Sequence, residues 1–212
     1  MLTLVEGNVI GLDFDNTIAN YSKVLRKVGH TMGLCPTLES KKKIRDAVRE
    51  LANGDELWQS IQTQIYGAKV LEAQIERGVS EFLMACKQSS VKVVIISHKT
   101  KFPEYGNSRT NLRDVAVTWL EKHGFFSPLG LSRNDVYFAS TKSEKVTLIS
   151  QMNLTVFVDD LEEILTDPRF PKGTFGVLFD PNNVSDTISE PSPYHPYYRV
   201  DCFYKLKREL FD

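Results

Sequence analysis

The chain has 212 residues, 42% of them apolar, and a formal charge of −1. That is enough apolar material for one full core with room for a small accessory lobe. The near-neutral balance supplies no general basic field for DNA, RNA or anionic lipid. The N-terminal residues lack a basic start followed by a long apolar stretch, and no segment approaches the roughly twenty apolar residues of a membrane span. Cys35, Cys86 and Cys202 are widely spaced and form no CxxC pair, so neither a disulfide framework nor a zinc site is suggested. These features predict a soluble cytoplasmic protein with no nucleic-acid partner and no membrane partner.

The first apolar run is "VIGL", residues 9–12, followed at once by "DFDNT". Residues 18–75 then read as amphipathic helices, in "SKVLRKVGHTMGL", "ESKKKIRDAVRELANG" and "DELWQSIQTQIYG", with no convincing strand among them. The cluster Lys41-Lys42-Lys43 in this stretch is either a phosphate contact or a solvated helix face. A helix, "GVSEFLMACKQ", leads into the second apolar run, "VKVVII", residues 91–96. After it comes a polar loop, residues 98–111, longer than a typical strand-to-helix connection; it either faces a substrate or reflects simple variation in loop length.

Residues 112–123 have apolar positions at helical spacing and stop at Gly124, a natural residue to follow a helix end. Residues 136–138 form a third apolar run. Thr141 with Glu144 three positions on has the spacing of a capping box for a helix over 143–152. "TVFV", residues 155–158, and "FGVLF", residues 175–179, are further runs too short for buried helices and rich in β-branched and aromatic side chains. The stretch after Phe179 is dense in Pro, Asn and Ser and reads as mostly loop, before a short C-terminal helix in "CFYKLKRELFD" that packs back. Strands alternating with helices, each strand apolar along most of its length, predict an α/β fold: a three-layer, doubly wound, mostly parallel sheet.

In open α/β sheets ligands sit outside the carboxyl ends of the strands. The first strand ends in Asp13-Phe14-Asp15, the second in Ser97-His98-Lys99, and "TVFV" in Asp159-Asp160. Collected on one edge, such acids would repel one another or stay unsatisfied unless a cation joins them. A hard divalent ion such as Mg²⁺ takes one or two carboxylates and leaves positions for water and a phosphate. Asp13 and Asp159 are its natural direct ligands, with Asp15 and Asp160 beside them as further candidates.

These residues resemble the motifs of the haloacid dehalogenase (HAD) superfamily of phosphotransferases. The DxDx(T/V) that follows the family's first strand is matched by Asp13-Phe14-Asp15-Asn16-Thr17. Its strand-terminal Ser or Thr is matched by Ser97, and its late acidic pair by Asp159-Asp160. The family's Lys, at the start of the helix before the last of these strands, has two candidates, Lys142 and Lys145. Lys145 is preferred because Leu148 and Ile149 supply the apolar anchor that follows this Lys in many relatives. The resemblance covers residues 8–17 and about 78–180. It implies a Rossmann-like HAD core over 1–17 and 77–212 and a small helical cap over 18–76, which would close over the site and set substrate choice.

The chemistry the resemblance implies is that of a Mg²⁺-dependent phosphatase acting on a small phosphorylated metabolite, a sugar phosphate or nucleotide. Asp13 would attack phosphorus and form an aspartyl phosphate. Asp15 would protonate the leaving oxygen and then take a proton from water, Lys145 would neutralise phosphoryl charge, and Ser97 would donate a hydrogen bond to it. The second aspartate argues for a phosphatase or phosphomutase, since the superfamily's dehalogenases and transport ATPases carry other residue types there. Asn16, Thr17, His98 and Lys142 are the candidate substrate contacts; Asn16 also suits a turn needing unusual backbone angles, and for His98 and Lys99 a loop with no specific duty is an equal alternative. The same residues would serve a phosphomutase, and a non-catalytic protein binding a phosphorylated ligand is the remaining reading.

Overall fold

The computed structural model describes residues 3–33, 41–67, 69–103, 109–181 and 196–211. In chain order these form β1 (Val9–Leu12), β2 (Ala19–Asn20), α1 (Ser22–Thr31), α2 (Lys41–Arg49), α3 (Gly54–Ile65), β3 (Gln74–Ile75), α4 (Val79–Gln88) and β4 (Lys92–His98). They continue with α5 (Leu112–Lys122), β5 (Val136–Ala139), α6 (Lys142–Gln151), β6 (Val156–Asp159), α7 (Glu162–Leu165), β7 (Phe175–Phe179), β8 (Tyr197–Val200) and α8 (Phe203–Phe211). Among the described residues six strands make one sheet in the order β5-β4-β1-β6-β7-β8, and every neighbouring pair in it is parallel. The chain runs outward from β1 through β4 to β5, then crosses to β6 on the other side. The strand order therefore reverses at β1, where a doubly wound sheet opens a crevice at its carboxyl edge.

Each central strand is apolar on both faces because helices cover both. Val93 and Ile95 of β4 pack with α4, α5 and α8 on one side, in a cluster containing Phe82, Trp119 and Phe203. Val94 and Ile96 pack on the other with Val146 and Ile149 of α6 and Ile164 and Leu165 of α7. This alternation assigns a face to each residue that leaves a strand end. Gly11 lies on the α6 side, where a Cβ would stand 2.6 Å from atoms of Leu154 and Phe157, closer than packed carbons approach; the absence of a side chain lets β6 and its neighbours close on β1.

The helix ends follow the sequence signals. The Asn111 side chain accepts from the Arg113 backbone N–H at 3.1 Å at the head of α5, and Gly124 beyond its end has φ +76°, the left-handed conformation of a helix terminator. At the head of α6 the Glu144 N–H donates to Thr141 Oγ1 at 3.1 Å. The Glu144 carboxylate accepts from the Ser140 N–H at 2.7 Å, one residue earlier than in the usual reciprocal box.

Two expectations are corrected. The helical stretch between β1 and α4 is bounded by strands: Ala19 pairs with Ile75 and Asn20 with Gln74 in an antiparallel two-stranded sheet, extended by the Glu76 N–H to the Ile18 carbonyl at 2.9 Å. Two-residue strands have no period to read, and tertiary pairing of the two ends of the insert creates them. The stretch after Phe179, expected as mostly loop, holds β8 within "YYRV". Tyr197 and Val200 are buried there, so aromatic and β-branched residues at a sheet edge outweigh the Pro-rich composition before them. Residues 182–195, part of that predicted loop, lie outside the described residues, as do Cys35, the side chain of Lys42 and residues 104–108 of the long polar loop. Cys86 and Cys202 are free thiols. The predicted C-terminal helix is α8, packed on α4 with the Phe82 and Phe203 ring centres 5.4 Å apart.

Candidate active site

Asp13 continues β1 by one residue, its N–H donating to the Val158 carbonyl at 2.9 Å, so it stands level with Asp159 at the end of β6. By alternation both side chains leave the sheet on the α6 side. Lys145, in the first turns of α6, meets them there: its Nζ lies 2.5 Å from Asp13 Oδ1 and 2.7 Å from Asp159 Oδ2. All three side chains are buried, Lys145 to 1% exposure. Asp160 follows directly, and carboxylate oxygens of Asp13, Asp159 and Asp160 lie within 4.8 Å of one another.

The electrostatics reflect that crowding. Burial drives the Asp13 carboxyl up to about 7; Lys145 opposes the shift and the Asp159 charge adds to it. Asp160 is pushed well above the usual carboxylate range by burial and by the charges of Asp13 and Asp159. Burial would lower the Lys145 ammonium, but Asp13 and Asp159 outweigh it and hold the group charged. Asp13 and Asp159 thus share one fully buried ammonium with Asp160 beside them, a crowd of carboxylates that a hard divalent cation fits. The donors are all oxygens, the set that magnesium takes rather than a softer metal. Asp15 departs from the expectation here, because its carboxylate stands outside this trio. The turn after Asp13 aims Asp15 elsewhere: its Oδ1 accepts from the Tyr21 hydroxyl at 2.6 Å, and its Oδ2 pairs with Lys99 Nζ at 2.7 Å.

That turn is shaped by Asn16, whose φ of 62° is a left-handed conformation that asparagine tolerates, as the sequence suggests. The Asn16 N–H donates to the Ala19 carbonyl at 3.0 Å, and its side-chain amide donates to the Tyr66 hydroxyl at 3.3 Å. Thr17 is not a substrate contact in this geometry. It is 0% exposed, and its hydroxyl lies 3.4 Å from Asp13 Oδ2, so it steadies the aspartate from beneath. Ser97, in β4 beside β1, is likewise fully buried; its Oγ has no hydrogen-bond partner among the described residues, and it is not one of the residues that line the cavity above. Such an orphaned hydroxyl costs free energy unless a ligand uses it.

Above these groups lies a cavity of about 420 Å³, lined by Asp13, Asp15, Lys145 and Asp160 below and by Gln59, Gln62, Thr63 and Tyr66 of α3 and its end above. The spacing 59, 62, 63, 66 is one face of a helix. His98 borders the cavity with its Nε2 3.3 Å from the Ser140 carbonyl. Lys142 stands at the rim, half-exposed and paired with Glu163, whereas Lys145 is the lysine inside. Lys41 also lines the cavity, 5.6 Å over the Tyr66 ring, while Lys43 is exposed. Lys99 and Lys41, each left open in the sequence between a ligand contact and no specific duty, both line the cavity, whereas sequence reasoning did not place Tyr21 or Tyr66 here. For Lys99 a signal existed, since it follows Ser97 by two positions and so shares its side of the strand end; for Tyr21 and Tyr66 there was none.

No family model matches this sequence, and no curated protein matches it. Solved structures do. A haloacid dehalogenase-like family hydrolase of Xanthomonas campestris is 14% identical, with a TM-score of 0.53 over 95% of this chain and 93% of its own. A dehalogenase solved with an intermediate is 12% identical, with a TM-score of 0.55 over 99% of this chain and 100% of its own. The HAD hydrolase YfnB of Bacillus subtilis, bound to magnesium, is 11% identical, with a TM-score of 0.52 over 97% of this chain and 99% of its own. The fold of this chain is that of the HAD-superfamily hydrolases: a Rossmann-like α/β core built on a parallel sheet. Among the described residues no helix is long and apolar enough to cross a membrane.

Proposed function

We propose that the protein is a Mg²⁺-dependent phosphatase that hydrolyses a small phosphorylated metabolite through an aspartyl phosphate on Asp13. The observation that carries this reading is the meeting of Asp13 with Lys145 at 2.5 Å beside the trio Asp13, Asp159 and Asp160, at the carboxyl edge where the strand order reverses. Magnesium held by these three carboxylates would neutralise phosphoryl charge and fix the group's orientation.

Lys145 supplies a second positive charge against the phosphoryl oxygens, and the buried Ser97 hydroxyl donates to one of them. Asp13 attacks phosphorus in line; its Oδ–P bond forms as the bond from phosphorus to the ester oxygen breaks, and Asp15 gives that oxygen a proton. Asp15, now a carboxylate, takes a proton from a water that attacks the aspartyl phosphate, and inorganic phosphate leaves with Asp13 restored. A dehalogenase, as one structural neighbour is, needs no proton donor to its leaving halide; an aspartate lining the cavity at position 15 supports an oxygen leaving group instead.

Helices α1–α3 act in this reading as the cap over residues 18–76. Its polar α3 face, Gln59, Gln62, Thr63 and Tyr66, suits a leaving group rich in hydroxyls, as in a sugar phosphate, and the cavity volume suits a small one. Asn16, His98 and Lys142 border the same space. The free thiols of Cys86 and Cys202 agree with work in a reducing cytoplasm. The test is Asp13→Asn, which keeps the shape and removes the nucleophile. Phosphate release from para-nitrophenyl phosphate should vanish with the circular dichroism spectrum unchanged, and full turnover by this variant would overturn the assignment.

A further inference from the structure

Lys99 is a charged side chain at 4% exposure, and burying an ammonium is expensive unless a partner is fixed against it. Its partner is Asp15, at 2.7 Å. The other Asp15 oxygen accepts from Tyr21, itself buried to 1% exposure, at 2.6 Å. Asp15 is therefore gripped from two sides, by a lysine at the end of β4 and by a tyrosine at the head of α1, while its face toward the cavity stays open.

Both grips are themselves fixed. The Lys99 N–H donates to the Ala139 carbonyl at 2.9 Å, its carbonyl accepts from Arg113 Nε at 3.0 Å, and its ammonium lies 5.4 Å over the Phe14 ring. The Tyr21 ring stands edge-on to Tyr66 with centres 5.0 Å apart, and Tyr66 in turn accepts from Asn16, next to Asp15. Any other rotamer of the Asp15 side chain would give up one or both of its contacts with Lys99 and Tyr21. Two rigid donors thus select one direction for it.

We propose that Lys99 and Tyr21 are positioning residues that hold the Asp15 carboxyl group toward the leaving oxygen. The proposal rests on the phosphatase reading above, in which Asp15 hands over that proton. Core and helical insert each contribute one donor, so the leaving-group step is assembled jointly by both.

The test compares two aryl phosphates of nearly equal size. Phenol has a pKa near that of tyrosine, about 10, so its oxygen needs a proton on departure; para-nitrophenol is far more acidic, and its anion departs without one. kcat/KM covers the steps through loss of the leaving group, so its ratio for phenyl phosphate over para-nitrophenyl phosphate isolates the proton hand-over. Tyr21→Phe, which keeps the ring packing, should lower that ratio about fivefold, and Lys99→Met about thirtyfold, within the range general acid catalysis spans. Lys99→Arg should restore most of the ratio. Where Lys99→Met fails to fold, Tyr21→Phe carries the test. An unchanged ratio in a folded variant, whether or not overall activity falls, overturns the proposal. A wild-type protein inert toward both esters in Mg²⁺ would instead remove the phosphatase reading on which it rests.

Discussion

Lys145 Nζ and Asp13 Oδ1 stand 2.5 Å apart although 132 residues separate them in the chain. Asp159 completes the contact from the second strand beside β1, 2.7 Å from the same ammonium. The ammonium is the only counter-charge these two buried carboxylates have in ion-pair contact among the described residues.

Removing that ammonium should therefore cost stability as well as turnover. Lys145→Met leaves two carboxylates buried without a counter-charge in contact, a change worth about 3–5 kcal/mol in comparable buried pairs. Urea unfolding of the metal-free protein should show the loss as a lower midpoint at unchanged slope. Mg²⁺ should recover part of the stability of the variant without restoring phosphate release.

Ser97→Ala should separate stability from activity. The Oγ is buried and unpartnered, so deleting it should leave stability unchanged or raise it by up to ~1 kcal/mol. Loss of a preorganised donor to the phosphoryl group should lower kcat by about 10²–10³. A destabilised but fully active Ser97→Ala protein would contradict both halves.

Metal-free protein should lose stability as the pH rises from about 4 to about 7. The Asp13 carboxyl gives up its proton near its ordinary 3.8 when unfolded and near about 7 when folded. Between those values the folded state holds more protons, and stability falls with increasing pH. Asp160, shifted upward by burial and by Asp13 and Asp159, acts in the same direction. Asp167, held down by Arg169, titrates below that window, while Glu72, held down by Lys27 and Lys69, and His123, held down by burial, oppose the trend within it and the larger Asp13 shift sets the sign. Thermal midpoints in chelator across this range measure the slope, and a rising curve would count against the crowded acidic site.

Mg²⁺ should stabilise the folded state, because it binds carboxylates that the unfolded chain does not assemble. At a hundred times its dissociation constant the gain is about 2.7 kcal/mol, seen as a raised thermal midpoint at neutral pH. Asp160→Asn, at the half-buried edge of the trio, should weaken that response at least tenfold in the Mg²⁺ concentration required. Calcium in its place should bind yet support little turnover, since its longer, looser coordination holds a phosphate less strictly.

Much of the site is written in short stretches of chain. "VIGLDFDNT" announces a buried strand ending on carboxylates, and Asn16 announces the left-handed turn that follows, because strand burial and turn geometry depend on neighbours a few residues away. Ser97 and Asp159 are legible in the same manner, as polar residues ending apolar runs. The choice of Lys145 over Lys142 could be argued only from resemblance. In the fold the two are about one helical turn apart, and that turn decides which enters the pocket and which stays at the rim with Glu163.

Other features had no local signature. Thr17 reads as a site residue, but the turn carries its hydroxyl under Asp13, away from the cavity. Asp15 reads as a metal ligand beside Asp13, and the same turn delivers it instead to Lys99 and Tyr21. β8 and the β2–β3 pair exist because a neighbouring strand is present to hydrogen-bond with them, a condition no window of composition reports.

By itself, then, the order of residues determined which strands are buried on both faces, where they stop, and which chemical groups stand at their ends. Only the tertiary structure decided which of those groups touch, because that depends on strand order across the sheet and on the direction each side chain takes from its turn. Both are settled by packing between segments far apart in the chain, where hydrophobic burial chooses the neighbours and the charges must then find partners among whatever is brought near.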